Sequence, residues 1–231
     1  MNPRVIVTTY DKAMWSIKPF IYLFNKFWSN QQQVDILCES IPTFEFPSNF
    51  GAVVINSNEY KGWPKEKWSN GLLSYLTNID NKFIVILLDD YWLVRTVDIG
   101  GVRTLCDYMD LDSKILRMDL TADRLYAGGV KDVDMYGHYD IIEAPQSQYQ
   151  MSLQAGIWNR TNLISILQND WSAWDVELIG TGIVNESDMR VLGTRQNLIR
   201  YANGMKNGSD KINTEWIPEE HKKIIERWFP K

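Results

Sequence analysis

Phe83-Ile84-Val85-Ile86-Leu87-Leu88-Asp89-Asp90-Tyr91-Trp92 is a continuous apolar run of strand length that ends on two adjacent acids. A strand that is apolar at every residue is covered on both faces, as in a parallel sheet between helices. Upstream, residues 4–9 (Arg-Val-Ile-Val-Thr-Thr) read as a short buried strand with a polar end. The segment 14–28 places Ile17, Phe20, Ile21, Phe24, Phe27 and Trp28 on one helical stripe, with Pro19 early enough to sit in a first turn. Val34 to Cys38 and Ala52 to Ile55 read as further strands. Between them and the 83–88 run, Ser69 or Asn70 is positioned to cap a helix carrying Leu72, Leu73, Leu76 and Ile79. Strand and helix thus alternate over the first half, which predicts an α/β fold: a mixed, mainly parallel sheet flanked by helices.

The second half is less regular. A helix is expected over 97–109 despite Gly100-Gly101, a strand over 115–118, and loops and hairpins over 119–150. A strand at 153–158, helices from Thr161 and around 173–180, polar Gly-containing stretches over 181–213, and a last helix opened by Pro218 complete the reading. With 231 residues, 45% hydrophobic, the chain is expected to form one domain. Residues 1–110 then make one half of it and 111–231 the other.

Composition excludes several classes. A formal net charge of −5 offers no basic footprint for nucleic acid. No run reaches the roughly 20 apolar residues of a membrane span. Met1 to Val7 lacks the features of a signal peptide, so a cytoplasmic location is expected. Cys38 and Cys106 sit among apolar residues and suit a reducing compartment. The Asn-x-Ser/Thr matches at Asn159, Asn185 and Asn207 then read as chance. No phosphate-binding Gly-x-x-x-x-Gly-Lys loop, Gly-x-Gly-x-x-Gly turn or Gly-x-Ser-x-Gly elbow occurs.

Ligands of such sheets bind at the carboxyl ends of the strands. The groups to inspect are therefore Thr8-Thr9-Tyr10-Asp11, Glu39-Ser40, Asn56-Ser57 and Asp89-Asp90. Adjacent acids after a buried strand raise one another's pKa or recruit a cation. Hard oxygen donors suit Mg or Mn, which keep positions open for phosphate oxygens. The competing reading is a helix cap with a solvated loop. Gln154, among apolar neighbours, reads either as a group for sugar hydroxyls or as a satisfied buried amide. His138 and His221 have no metal-ligand spacing to another His or Cys; His221 is expected to pack on the last helix, with a distant ligand role left open.

The strand ending in Leu88-Asp89-Asp90-Tyr91 resembles the Asp-x-Asp-type motif of GT-A glycosyltransferases. Val5-Ile6-Val7-Thr8-Thr9-Tyr10 is similar to the first strand of that fold. Ser152-Leu153-Gln154-Ala155-Gly156-Ile157-Trp158-Asn159, with Trp174-Asp175-Val176-Glu177, resembles bacterial and phage-type nucleotide-sugar transferases. The resemblance spans roughly residues 4–180.

It implies that the first half binds a nucleotide-sugar donor and the second faces the acceptor, a glycan or another hydroxyl. Thr8, Thr9 and Tyr10 would line the base pocket and Trp68 would pack near the donor. Asp90 would contact a divalent metal, Mn or Mg, and Asp89 would hold the ribose or the metal's water shell. Asp175, at the start of a helix, would be the general base of an inverting reaction, with Glu177 as fallback. Apart from the resemblance, Arg95, Arg103, Arg117 and Arg124 form a scattered basic set, of which Arg117 or Arg124 is the first candidate to offset a diphosphate charge. The sequence departs from the pattern in two places: the acids are adjacent, without a spacer, and Trp174 stands where an acid is usual. Two rival functions share these features, a nucleotidyltransferase and a non-catalytic carbohydrate-binding protein of the same fold. The first needs basic residues near the N-terminal loop, where only Lys12 is close.

Overall fold

A computed structural model describes residues 1–55, 66–205 and 212–230. The strand-end residues Asn56 and Ser57 and the sequon at Asn207 lie outside these segments. The strands are β1 (Arg4–Thr8), β2 (Val34–Cys38), β3 (Phe50–Val54), β4 (Phe83–Leu88), β5 (Tyr91–Leu93), β6 (Ile115–Asp119), β7 (Lys131–Tyr136), β8 (Tyr139–Glu143), β9 (Gly156–Asn159), β10 (Arg190–Thr194) and β11 (Tyr201–Asn203). The helices are α1 (Ile17–Phe27), α2 (Trp68–Thr77), α3 (Ile99–Asp110), α4 (Arg160–Ile166), α5 (Ala173–Glu186) and α6 (Glu219–Ile225).

Among the described residues the strands form a nine-stranded sheet in the order β3-β2-β1-β4-β9-β6-β10-β8-β7, and a small β11-β5 ribbon. Within the large sheet, β8 and β9 run against the other strands. The sheet is therefore mixed and mainly parallel, as the apolar runs predicted. Strand β9 comes from the second half of the chain and lies between β4 and β6, so the two halves share one sheet.

The all-apolar strands follow from cover on both faces. Side chains alternate along a strand. Val5, Val7, Val85 and Leu87 point to one core with Phe20, Leu23 and Phe24 of α1 and Val102 and Leu105 of α3. Ile6, Ile84 and Ile86 point to the opposite core with Leu72 and Leu76 of α2, Leu163 of α4 and Val176 of α5. Each such side chain contributes about 1.5–3 kcal/mol on full burial.

Several elements differ from expectation. The 14–28 helix is divided: a 3-10 helix, Asp11–Ser16, precedes α1, and Pro19 falls in the first turn of α1. Helix α2 starts at Trp68, and neither Ser69 nor Asn70 caps it. Those side chains hold the loop before α5 instead. Ser69 Oγ accepts from the Trp171 N–H at 3.0 Å, and Asn70 Oδ1 accepts from the Asp170 N–H at 2.6 Å. The polar 181–213 stretch holds the rest of α5, then β10 and β11. Within α3, Gly101 lies where a Cβ would come within 2.7 Å of Asp98 Oδ2 and 2.8 Å of a Leu198 carbon. Asp98 caps that helix by accepting from Gly101 N–H at 2.8 Å. No helix of the described residues is long and apolar enough to cross a membrane.

Candidate active site

The carboxyl ends of β1, β2 and β4 meet at one edge of the sheet. Strand β1 pairs with both β2 and β4, with Thr8 opposite Leu37 and Leu88. Just beyond it, the Thr9 N–H donates to Leu37 O at 2.9 Å, and the Thr9 hydroxyl donates to Asp89 Oδ2 at 2.8 Å. Trp68 Nε1–H reaches Thr8 Oγ1 at 3.3 Å. Tyr10 closes the edge through its carbonyl, which accepts from Ala13 N–H at 2.9 Å. Asp11 N–H donates to Glu39 Oε2 at 2.7 Å, joining the β1 and β2 ends. Thr8, Thr9, Tyr10, Trp68 and Asp89 thus lie together, as expected from their order.

Asp89 and Asp90 form the turn from β4 into β5, not a helix cap. Asp89 is 7% exposed. Burial, and then the Asp90 charge, push its pKa up to about 7, against the stabilising Thr9 hydroxyl and backbone N–H groups. Burial raises Asp90 to about 6, opposed by its own N–H and that of Met205. The turn is pinned from the far side: Asp90 O accepts from Trp92 N–H at 3.0 Å and Gly204 N–H at 2.7 Å. Gly204 follows β11, which pairs with β5, and Tyr91 stacks on Tyr201 with ring centroids 4.0 Å apart.

Tyr91 connects this turn to the second half. Its hydroxyl lies 3.4 Å from Leu153 O, and Leu153 N–H donates to Glu177 Oε1 at 2.7 Å. Burial raises the Glu177 pKa, opposed by that N–H and the Arg117 charge. Asp175 is placed differently. It forms a capping box at the start of α5: its Oδ2 accepts from Ser172 N–H at 2.9 Å and Ser172 Oγ–H at 2.7 Å, and its own N–H donates to Ser172 Oγ at 3.2 Å. Those bonds hold its carboxyl below the usual range.

Gln154 is half-buried. Its carbonyl accepts from Arg117 Nη2 at 2.9 Å, and the residue lines a cleft of about 430 Å³. The same cleft is bounded by Thr121, Tyr126, Arg200, Asn203 and Trp216. Sequence reasoning missed this β11 side, because a three-residue strand carries too little periodicity to be seen.

The expectation that Arg117 or Arg124 faces a diphosphate is corrected. Arg117 is 1% exposed and ion-paired with Asp119. Arg124 Nε pairs with Asp119 Oδ2 at 2.8 Å, and its Nη1 donates to Gln150 Oε1 at 2.7 Å. Both guanidinium groups are committed to the interior. His221 packs on α6 as expected. Its Nδ1 lies 3.0 Å from the Tyr22 hydroxyl, and its ring contacts Phe27.

Among the described residues no group of three or more His, Cys, Asp or Glu side chains could hold a metal. The Asp89-Asp90 pair supplies hard carboxylate oxygens, Asp89 buried and Asp90 half-buried, with no described cation paired to them. That donor set fits a hard divalent ion that takes its remaining ligands from phosphate and water, and it is too small for an ion held by protein alone.

No protein-family model matches the sequence, and no curated protein does. Solved structures do match in fold. The chain is similar to S. aureus TarS 1-349, with a TM-score of 0.56 and 15% identity over 88% of this chain and 61% of that one. It is similar to the same protein in complex with UDP-GlcNAc, with a TM-score of 0.54 and 14% identity over 90% and 60% of the two chains. The chain therefore spans about three fifths of the TarS 1-349 structures it matches. The sheet order and this similarity agree on the fold: the chain has the mixed α/β, GT-A-like fold expected from its sequence.

Proposed function

We propose that this protein is a glycosyltransferase that moves a sugar from a nucleoside-diphosphate donor to a hydroxyl acceptor, with a glycan as the acceptor class. The carrying observation is the Asp89-Asp90 turn, with Asp89 buried, tied to Thr9 on its donor side and through Tyr91 and Leu153 to Glu177 on the other. TarS has been crystallised with UDP-GlcNAc and with UDP, which supports a nucleotide-sugar ligand for this chain.

In this reading Thr8, Thr9, Tyr10 and Trp68 receive the nucleoside. Asp90 holds a divalent ion, Mn or Mg, while Asp89 holds the ribose or the ion's water shell. The ion supplies charge to stabilise the departing diphosphate. Gln154 hydrogen-bonds the donor sugar. A carboxylate accepts the acceptor hydroxyl's proton as that oxygen bonds to the anomeric carbon and the bond from that carbon to the diphosphate oxygen breaks. Of the two carboxylates, Glu177 is the better placed. It is linked to the acidic turn, and its raised pKa suits a base. Asp175 is engaged by Ser172.

Titration calorimetry with UDP-, GDP-, CMP- and dTDP-sugars in the presence of Mn tests the donor. One of them is expected to bind, and binding of none favours a non-catalytic carbohydrate-binding protein. Asp89→Asn with Asp90→Asn is expected to abolish donor binding and transfer. Transfer that survives the double change sinks the metal-site assignment.

A further inference from the structure

We propose that the acceptor is an acidic saccharide, which rests on the transferase reading above. The cleft bounded by Gln154 and Asn203 adjoins a second chamber of about 380 Å³, and Arg200, Tyr201 and Trp216 line both. Arg95 lines the second chamber as well.

Two features of this surface suit an acidic sugar. Trp216 is 62% exposed and Tyr126 85% exposed, on the walls of one cleft. Exposed aromatic faces around a concavity match the apolar C–H face of a sugar ring. Arg95 and Arg200 also lie together on the second chamber, and neither forms an ion pair among the described residues. Arg95 is oriented by its guanidinium donating to Asn197 O. In a chain of net charge −5, two cations gathered on one chamber select for an anion.

That anion is not the donor's diphosphate. Gly204 bonds the Asp90 turn and Arg200 lies four residues before it, with its carbonyl bonded to Val94 N–H. At about 3.4 Å per residue the Arg200 backbone is roughly 13 Å along the ribbon from the acidic turn. Arg95 follows Val94 at the same distant end. Asp123 lines the first chamber but not the second, so the second chamber, with its two arginines, is the better place for an acid. The acceptor's reactive hydroxyl then lies toward Gln154. Its ring rests against Trp216 and its carboxylate or phosphate lies between Arg95 and Arg200.

The test is binding of the 231-residue chain to immobilised oligosaccharides that include uronate-containing, phosphodiester-linked and neutral members. UDP-sugar binding is measured in parallel. Acidic members are expected to bind at least about tenfold more tightly than neutral ones, the scale of one or two charged hydrogen bonds. Whether uronate or phosphodiester leads identifies the source of the charge. Arg95→Ala with Arg200→Ala should erase that preference and leave donor affinity unchanged. Trp216→Ala should weaken acidic and neutral members alike. Equal binding of neutral members, no binding of any, or an acid preference that survives the double arginine change overturns the proposal. Loss of donor affinity in that variant also overturns it, by assigning the arginines to the donor. Failure of the wild-type protein to bind any nucleotide sugar counts against the transferase reading itself.

Discussion

The hydroxyl of Thr9 donates to Asp89 Oδ2 at 2.8 Å, and that bond joins the end of β1 to the acidic turn after β4. It lowers the pKa of a carboxyl that burial and Asp90 push up to about 7. Thr9→Val keeps the shape and removes the donor. Asp89 is then harder to ionise, and a divalent cation meets a weaker site. Removal of such an outer hydrogen bond weakens metal binding by about 10–100-fold. Mn titration followed by calorimetry is expected to show this loss with little change in the circular dichroism spectrum. Unchanged Mn affinity means that Asp89 does not need Thr9 in order to ionise.

Asp175 and Glu177 lie two residues apart on α5 and separate stability from catalysis. Ser172→Ala removes the other half of the capping box and is expected to cost about 1 kcal/mol of stability, with kcat little altered. Asp175→Ala should behave in the same direction, lowering the unfolding midpoint while transfer persists. Glu177→Gln keeps an oxygen for the Leu153 N–H and removes the base. Its kcat should fall by about 10²–10⁴-fold at near-native stability. A collapse of kcat in Asp175→Ala with activity retained in Glu177→Gln would reverse the assignment of the base.

The Glu177 carboxyl also sets a pH dependence. Burial raises its pKa above the ordinary 4.5, so the folded chain holds this proton after the unfolded chain has released it. The stability associated with the group is full below 4.5 and is lost as pH rises through the raised folded value. The ionised form is needed for catalysis, so the acid limb of kcat should lie above 4.5. Glu177→Gln should remove its share of the stability slope in urea unfolding series run at several pH values. A slope unchanged by that substitution means that Glu177 titrates alike in both states.

Much of the strand edge around Thr9 and Asp89 was legible because it rests on long-pattern features. The runs 34–38 and 83–88 matched their strands residue for residue, since burial on both faces leaves no polar interruption. The carboxyl ends of those strands followed directly. Ser69 and Asn70 misled because a polar side chain before a helical stripe signals a cap, whereas here a loop distant in sequence takes those groups. Arg117 and Arg124 misled for a related reason. Sequence shows charge but not Asp119, the partner that makes burial tolerable. The cleft beside Gln154 was invisible because much of its wall is built from β11, a three-residue strand, and from Trp216 in a loop.

The buried Asp119 pairing predicts one of the larger stability losses in the chain. Arg117 and Arg124 both contact it, and Arg117 also lies over the Trp158 ring at 5.0 Å. Asp119→Ala leaves two guanidinium groups inside without their carboxylate, at a cost of about 3–5 kcal/mol. Urea unfolding should show a lower midpoint at similar slope. A loss below about 1 kcal/mol would place the pair in the range of solvent-exposed bridges, contrary to its burial.

Gly204 makes the last prediction, because it connects packing with the site. Its N–H donates to Asp90 O at 2.7 Å, and an added Cβ would come within 2.7 Å of Trp92 Cζ2. Trp92 is fully buried and cannot retreat without moving the ring it stacks on, Phe229, whose centroid is 6.1 Å away. Gly204→Ala must therefore displace the β11 side of the ribbon, and with it the bond that holds the acidic turn. Overpacking of this kind costs about 1–3 kcal/mol. Because the strain is transmitted to Asp90, Mn or donor affinity should fall along with stability. A variant that loses stability but binds Mn and donor as the parent does would show that the turn keeps its shape without the Gly204 bond.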